Sequence, residues 1–136
     1  MTRILCIEDE TDIRELIVDE LRDAGFSVLE ATNGQEGFDT IVSERPDMVI
    51  CDITMPEMDG RDLYAKLQME QPDLANIPFI FLTALADKGS MLNGLRCGAD
   101  AYLTKPVDFD VLMAKIAGCL MRHDVQKAAS PEYMVA

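Results

Sequence analysis

The chain has 136 residues, a length typical of one domain, and 49% of it is hydrophobic, which is enough for an ordinary core. Asp and Glu number 25 against 12 Lys and Arg, so the formal net charge is −13 at pH 7, which argues against non-specific binding to DNA or to an anionic membrane surface. No apolar run approaches the ~20 residues that a membrane span requires, and the N-terminus lacks the long apolar stretch of a signal peptide.

Short apolar runs predict the strands. Three of them, ILCI (4–7), MVIC (48–51) and FIFL (79–82), are continuous rather than alternating, which is typical of strands buried on both faces. Two weaker candidates are SVLEA (27–31) and AYLT (101–104).

Apolar residues at helical spacing fill the intervals after these runs. They are Ile13, Leu16, Ile17 and Leu21, then Phe38, Ile41 and Val42, then Leu63, Tyr64 and Leu67, then Met91, Leu92 and Leu95, and finally Leu112, Ile116, Cys119 and Leu120. Asp12 with Glu15, and Asn33 with Glu36, have the spacing of a capping box. Such alternation predicts an α/β fold of the (βα)5 kind, a three-layer, doubly wound parallel sheet with right-handed crossovers.

The chain divides into one domain and a short extension. Residues 1–122 are predicted to form the domain, and residues 123–136 a C-terminal tail or the start of a linker. The four cysteines, Cys6, Cys51, Cys97 and Cys119, match no zinc-binding spacing, so we interpret them as small buried hydrophobic residues of a cytoplasmic protein.

Polar side chains gather where the predicted strands end. The first strand ends on Glu8 and Asp9, the third on Asp52 and the fourth on Thr83, and the fifth leads into Lys105. Ligands of doubly wound sheets bind beyond the carboxyl ends of the strands. Each residue alone has an ordinary explanation, such as an acidic start to a helix, but their joint occurrence at one edge predicts a site.

The charges at this edge indicate the chemistry. Two carboxylates ~5 Å apart repel by roughly 3 kcal/mol at an effective dielectric constant near 20. Lys105 supplies one positive charge, and Mg²⁺, which prefers hard oxygen ligands and keeps open water positions, would supply two. One carboxylate would then be placed to attack phosphorus in line, and Thr83 could donate a hydrogen bond to the attached phosphoryl group.

These residues resemble the receiver domain of response regulators, the phosphoacceptor half of a two-component system. The resemblance covers about residues 3–122. It rests on the pair Glu8-Asp9, DITMPEMDG (52–60), LTA (82–84) and GADAYLTKP (98–106). It implies a flavodoxin-like fold with five parallel strands in the order 2-1-3-4-5.

The resemblance also implies roles for individual residues. Asp52 is the nucleophile that takes a phosphoryl group from a phosphohistidine, and Lys105 pairs first with Asp52 and then with the phosphoryl group. Asp9 and Asp52 bind Mg²⁺ through carboxylate oxygens, Thr54 through its backbone carbonyl, and Glu8 mainly through water. The chain is then a signalling protein that phosphorylates and dephosphorylates only itself.

A switch between two states is implied as well. Thr83 and Tyr102 form the switch pair, in which the hydroxyl moves toward the phosphate and the ring turns inward. The surface that responds is formed by the fourth predicted helix, the fifth strand and the fifth predicted helix. The peptide bond between Lys105 and Pro106 is expected to be cis.

The expected partners follow from the same resemblance. A sensor histidine kinase or a His-phosphotransfer protein donates the phosphoryl group in a bacterial cytoplasm. A downstream protein or a fused output domain receives the signal, with a phosphorylation-dependent homodimer as one form of response. No nucleic acid and no membrane is expected to bind this domain directly.

Departures from the family pattern refine these expectations. Glu8 stands where Asp is commoner. Thr54 and Leu85 occupy positions that influence a hydrolytic water, and neither offers a strong base or amide, so we expect slow self-dephosphorylation. Met91 and Val111 stand where winged-helix regulators carry charges, which puts their ion-paired dimer in doubt. Together with Leu92, these two residues either form an apolar patch or belong to the core.

Three other classes of protein agree less well with these residues. A receiver-like module that binds a partner without phosphorylation would not need the acidic pair, the Thr and the Lys. A phosphatase of the haloacid dehalogenase type would need a second Asp where this chain has Thr54. A flavin-binding flavodoxin would need a phosphate-binding loop where this chain has Glu8, Asp9 and Glu10.

Overall fold

The computed structural model describes residues 2–74, 76–84 and 101–128. Its five strands are β1 (Arg3–Ile7), β2 (Ser27–Ala31), β3 (Met48–Asp52), β4 (Phe79–Ala84) and β5 (Ala101–Lys105). They form one parallel sheet in the order β2-β1-β3-β4-β5. The predicted doubly wound fold and strand order are confirmed.

Helices connect the strands. They are α1 (Thr11–Asp23), α2 (Gly34–Glu44), α3 (Gly60–Glu70), a short 3₁₀ turn (Pro72–Leu74) and a C-terminal helix (Phe109–Ala128). The predicted domain end at residue 122 falls inside the C-terminal helix. The fourth predicted helix lies outside the described residues, as do Leu85, Met91, Leu92, Leu95 and Cys97.

The core has two halves, one on each face of the sheet. Along β1, Leu5 and Ile7 pack on the side of α2 and α3, whereas Ile4 and Cys6 pack on the side of α1 and the C-terminal helix. All four side chains are fully buried. Because both faces are covered, the strand needs apolar residues at successive positions, which explains its continuous apolar run.

Side-chain caps begin three of the helices. The side chain of Asn33 accepts a hydrogen bond from the Glu36 amide at 2.8 Å, which is one half of the predicted capping box. The Glu36 carboxylate accepts instead from the Thr32 hydroxyl at 2.9 Å. Asp59 forms a capping box with Asp62 at the start of α3, and the Asp108 carboxylate accepts from amides of the C-terminal helix. The predicted capping box of Asp12 and Glu15 is wrong. With Asp12 as N-cap the helix would begin at Ile13, but α1 begins two residues earlier, at Thr11, and the side chain of its N-cap residue, Glu10, forms no cap.

Three of the four cysteines lie within the described residues. Cys6, Cys51 and Cys119 are buried free thiols, and burial, followed by the nearby charges of Glu8 and Glu30, raises the pKa of Cys6 to about 12. These thiols are therefore packing residues, as predicted. No helix in the described part of the chain has the length and apolar character needed to cross a membrane.

Candidate functional site

Glu8 follows β1 directly and is held by the neighbouring strand. Its amide donates a hydrogen bond to the carbonyl of Ala31, the last residue of β2, at 3.1 Å. The side chain is fully buried, which is rare for a carboxylate without a compensating charge.

Asp52 is the last residue of β3, the central strand of the sheet, and only 4% of it is exposed. The chain turns sharply after it, because the amide of Gly60 returns to donate to the carbonyl of Ile53 at 2.8 Å. A Cβ atom at Gly60 would lie 2.7 Å from the backbone oxygen of Asp52. The turn after β3 therefore needs glycine at this position, and it keeps Asp52 at the edge of the sheet.

Lys105, the last residue of β5, joins the two acidic strand ends. Its Nζ donates to Glu8 Oε1 at 2.7 Å and to Asp52 Oδ2 at 2.9 Å. The two partners are 97 and 53 positions away in the chain. The expected convergence of these strand ends is thus present in the structure.

An acidic cluster completes the site. Glu8, Asp9 and Asp52 each place one carboxylate oxygen within 4.8 Å of the other two. Asp9 is exposed, whereas Glu8 Oε2 is buried and accepts no hydrogen bond from the described residues. Carboxylate oxygens are hard ligands that suit a divalent cation, and a buried oxygen without a hydrogen-bond donor gains most from one. The cluster is therefore compatible with the Mg²⁺ site of a receiver domain.

A solvent-accessible cleft of about 590 Å³ opens onto this cluster. Its walls include Asp9, Asp52, Thr54 and Lys105. Thr54 is exposed, two residues after Asp52. A phosphate-sized group can therefore reach the carboxylate of Asp52 from solvent.

Burial and charge shift two pKa values at the site. Burial, and next the neighbouring carboxyl group of Asp52, raises the pKa of Glu8 to about 8. Burial by itself lowers the pKa of Lys105, but its hydrogen bonds to Glu8 and Asp52 outweigh that effect and raise the pKa above 10.5. Lys105 therefore remains a cation at neutral pH, whereas Glu8 keeps its proton up to about pH 8.

Thr83 and Tyr102 lie in the interior, on the neighbouring strands β4 and β5. Thr83 is fully buried on β4, next to Leu82, which pairs in register with Asp52. The Tyr102 ring is 7% exposed, and its centroid lies 5.5 Å from that of Phe81. The ring thus occupies an inward position on the strand next to Thr83. The Lys105–Pro106 peptide bond is cis, as expected.

The structure adds one residue that the sequence reasoning missed. Arg14 on α1 donates from Nη1 to the main-chain carbonyl of Glu8 at 2.9 Å. The sequence does contain a signal for this residue. The helix dipole favours acidic residues near a helix N-terminus, so a cation near the start of a helix that follows an acidic pair is unusual.

A five-stranded parallel sheet with this acidic edge and a paired lysine defines a receiver of the phosphoacceptor type. The family model for the response regulator receiver domain matches residues 4–117. The chain therefore belongs to the response regulator receiver domain family of two-component systems. It is a signalling domain, and the arrangement of its strand ends fits a phosphoacceptor role.

Named relatives agree with this family. A "Probable transcriptional regulator ycf27" of Porphyridium aerugineum is 37% identical over 128 residues, which are 94% of this chain and 51% of that protein. The "Phosphate regulon transcriptional regulatory protein PhoB" of Pseudomonas aeruginosa is 37% identical, covering 88% of this chain and 52% of that protein. The chain thus spans about half the length of these curated relatives.

Solved structures share the fold. A CheY-like response regulator receiver domain protein from Methanospirillum hungatei has a TM-score of 0.84 and 30% sequence identity to this chain. The match covers 93% of this chain and 98% of that one.

Proposed function

We propose that this chain is a phosphorylatable receiver that accepts a phosphoryl group on Asp52 from a phosphohistidine and passes the signal on by a change of shape. The main support for this proposal is the hydrogen bond from Lys105 Nζ to Asp52 Oδ2, which is 2.9 Å long. The two residues lie at an acidic cluster, and a cleft connects that cluster to solvent. In-line attack on phosphorus requires a carboxylate that is held in place and that the phosphoryl donor can reach. Asp52 is held by Lys105 and lines the cleft.

The covalent step is a transfer between two nucleophiles. An oxygen of Asp52 bonds to phosphorus while the phosphorus–nitrogen bond to the donor imidazole breaks, and the imidazole nitrogen keeps the electron pair. The Lys105 ammonium, already beside Asp52, stays with the phosphoryl oxygens as their charge moves onto the acyl phosphate. Thr83 then donates its hydroxyl hydrogen to a phosphoryl oxygen.

Mg²⁺ is the proposed cofactor. Carboxylate oxygens of Asp9 and Asp52 and the backbone carbonyl of Thr54 would hold it, with Glu8 acting mainly through water. When bound, it supplies positive charge that neutralises the phosphoryl oxygens. The closeness of the three carboxylates and the unsatisfied Glu8 Oε2 support this assignment.

The response is proposed to pass through Thr83 and Tyr102. Movement of the Thr83 hydroxyl toward the phosphoryl group would leave space beside β4, and the Tyr102 ring, which is already only 7% exposed, would shift further into it. The buried ring beside Phe81 supports this coupling, because its position depends on the packing around β4. The signal would emerge on the face formed by the fourth predicted helix, β5 and the C-terminal helix.

The proposed partners are a sensor histidine kinase or a His-phosphotransfer protein on the input side. On the output side we propose a downstream protein or a fused output domain, since two relatives of about twice this length carry names of transcriptional regulators. A phosphorylation-dependent homodimer is one form of this output. A cytoplasmic location is also proposed, supported by the buried free thiols Cys6, Cys51 and Cys119.

The test is labelling by acetyl phosphate in the presence of Mg²⁺, followed on phosphate-affinity gels. Wild type should shift and Asp52→Asn should not. Asp59→Asn is the matched control, because it removes a carboxylate seven residues away while Asn remains a good N-cap for α3. Labelling of Asp52→Asn at the wild-type level would refute the assignment, and steady turnover of a small phosphate ester would favour a phosphatase.

A further inference from the structure

Arg14 holds the main chain of the acidic pair from helix α1. Its Nη1 lies 2.9 Å from the carbonyl oxygen of Glu8, and its Nε lies 3.4 Å from Oε1 of Glu30 on β2. The Arg14 side chain is only 13% exposed. The guanidinium is therefore fixed between the end of β1 and the neighbouring strand.

This contact fixes a peptide that leads into the site. The Glu8 amide donates to Ala31, so both polar groups of the Glu8 main chain are held. The carbonyl of Glu8 and the amide of Asp9 share one planar peptide unit, so holding the oxygen also orients the start of Asp9. Asp9 is exposed and contributes an oxygen to the acidic cluster, which makes its placement dependent on this backbone.

The stability of helix α1 does not explain why an arginine stands at position 14. It lies at the fourth position of α1, near the helix N-terminus, where a cation interacts unfavourably with the helix dipole. Its contacts in the described part of the chain are with the Glu8 carbonyl and with Glu30, and no carboxylate of the acidic cluster accepts from it. Its position is therefore suited to orienting the backbone and not to neutralising the cluster directly.

We propose that Arg14 is a positioning residue for the magnesium site, holding the Glu8–Asp9 peptide so that Asp9 faces Asp52. This inference rests on the proposed function, because it assumes that Asp9 and Asp52 bind Mg²⁺. Charge and geometry give opposite expectations for its removal. Loss of a positive charge near a cation site strengthens Mg²⁺ binding, whereas loss of the peptide anchor weakens it.

The experiment is a titration of Arg14→Gln with magnesium chloride, followed by NMR or calorimetry. We expect the Kd for Mg²⁺ to rise about tenfold, as for other changes to groups that orient metal ligands. The rate of labelling by acetyl phosphate at saturating Mg²⁺ should stay within about twofold of wild type, because the reacting groups are intact.

Arg22→Gln is the matched control. Arg22 lies on the same helix and 3.9 Å from Oε2 of Glu30, and its side chain is 55% exposed. The control removes the same charge, and its Mg²⁺ affinity should equal or exceed that of wild type. The proposal is overturned if both variants lose the same Mg²⁺ affinity. It is also overturned if Arg14→Gln binds Mg²⁺ as tightly as wild type or more tightly.

Arg14→Lys keeps the charge and tests the contact by itself. An ammonium cannot reach Glu8 and Glu30 in the same fork geometry, so we expect Mg²⁺ binding about threefold weaker than wild type. This variant carries the test if Arg14→Gln does not fold, and wild-type affinity would then overturn the proposal. Wild-type protein that binds no Mg²⁺ would refute the proposed function, whereas normal wild-type binding with an unaffected Arg14 variant refutes this inference alone.

Discussion

Lys105 donates a hydrogen bond to Asp52 across 53 positions of the chain, with 2.9 Å between Nζ and Oδ2. Both residues end a strand, and the Asp52 side chain is 5% exposed. The ion pair is therefore largely removed from water. Breaking such a pair by removing one partner leaves an uncompensated charge, which costs far more than the loss of a surface pair.

Lys105→Met should therefore destabilise the metal-free protein. We expect the free energy of unfolding to fall by about 2–4 kcal/mol, because Glu8 and Asp52 lose their shared cation. Urea unfolding in EDTA measures the change. Lys115→Met on the C-terminal helix is the control and should change stability by less than about 0.5 kcal/mol. A loss no larger than in this control would show that the pair contributes little.

The pH dependence of stability should carry the signature of Glu8. Its pKa rises from an ordinary 4.5 to about 8 on folding, so between these values the folded state holds a proton that the unfolded chain releases. The stabilisation is complete below pH 4.5 and is lost as the pH rises toward 8, by at most about 1.4 kcal/mol per pH unit.

Glu8→Gln lacks this titration, so its stability relative to wild type should increase from pH 5 to pH 8. Urea unfolding at several pH values in EDTA, which keeps cations from competing, tests this expectation. A constant difference between the two proteins across that range would contradict the raised pKa of Glu8.

Gly60→Ala should disturb the nucleophile as well as stability. A Cβ atom there would lie 2.7 Å from the Asp52 carbonyl oxygen and 3.0 Å from the Phe81 ring. We expect a loss of about 2 kcal/mol and slower labelling by acetyl phosphate, because the backbone of Asp52 must shift. At Gly37 the nearest obstacle is the flexible end of Ile7, so Gly37→Ala should cost less and leave labelling unchanged. Equal effects of the two substitutions would refute this reading of the turn.

Thr83→Ala should accept a phosphoryl group but fail to transmit it. Labelling by acetyl phosphate should remain within about tenfold of wild type, because the nucleophile and Lys105 are unchanged. NMR signals of the Tyr102 ring, recorded with and without beryllofluoride, should respond in wild type and not in the variant. Thr104→Ala changes the residue paired in register with Thr83 and serves as the control. A full ring response in Thr83→Ala would exclude the proposed coupling.

The acyl phosphate of this chain should be long-lived. Thr54 is exposed at the cleft and offers no strong base, and Leu85, which lies outside the described residues, is apolar. Leu85→Asn supplies an amide that can orient a hydrolytic water and should speed decay about tenfold. Timed gels after removal of the phosphodonor measure both lifetimes. Faster decay in wild type than in Leu85→Asn would be the opposite result.

Much of the fold was predictable because its signals are local or periodic. The continuous apolar runs of β1, β3 and β4 identify buried parallel strands, and the position of Asn33 identifies the start of α2. The spacing of Asp12 and Glu15 predicts the wrong start for α1, because capping-box spacing does not require the box to form.

The amino-acid sequence is enough to identify the residues that meet at the carboxyl edge. In a parallel sheet every strand end lies on the same side, so Glu8, Asp52 and Lys105 could be assigned to one site without distances. How these residues pair at the edge follows from the three-dimensional fold. Lys105 contacts both carboxylates, one Glu8 oxygen is buried without a partner, and Arg14 holds the Glu8 carbonyl. These relations depend on side-chain reach and burial between distant segments, which no spacing along the chain specifies.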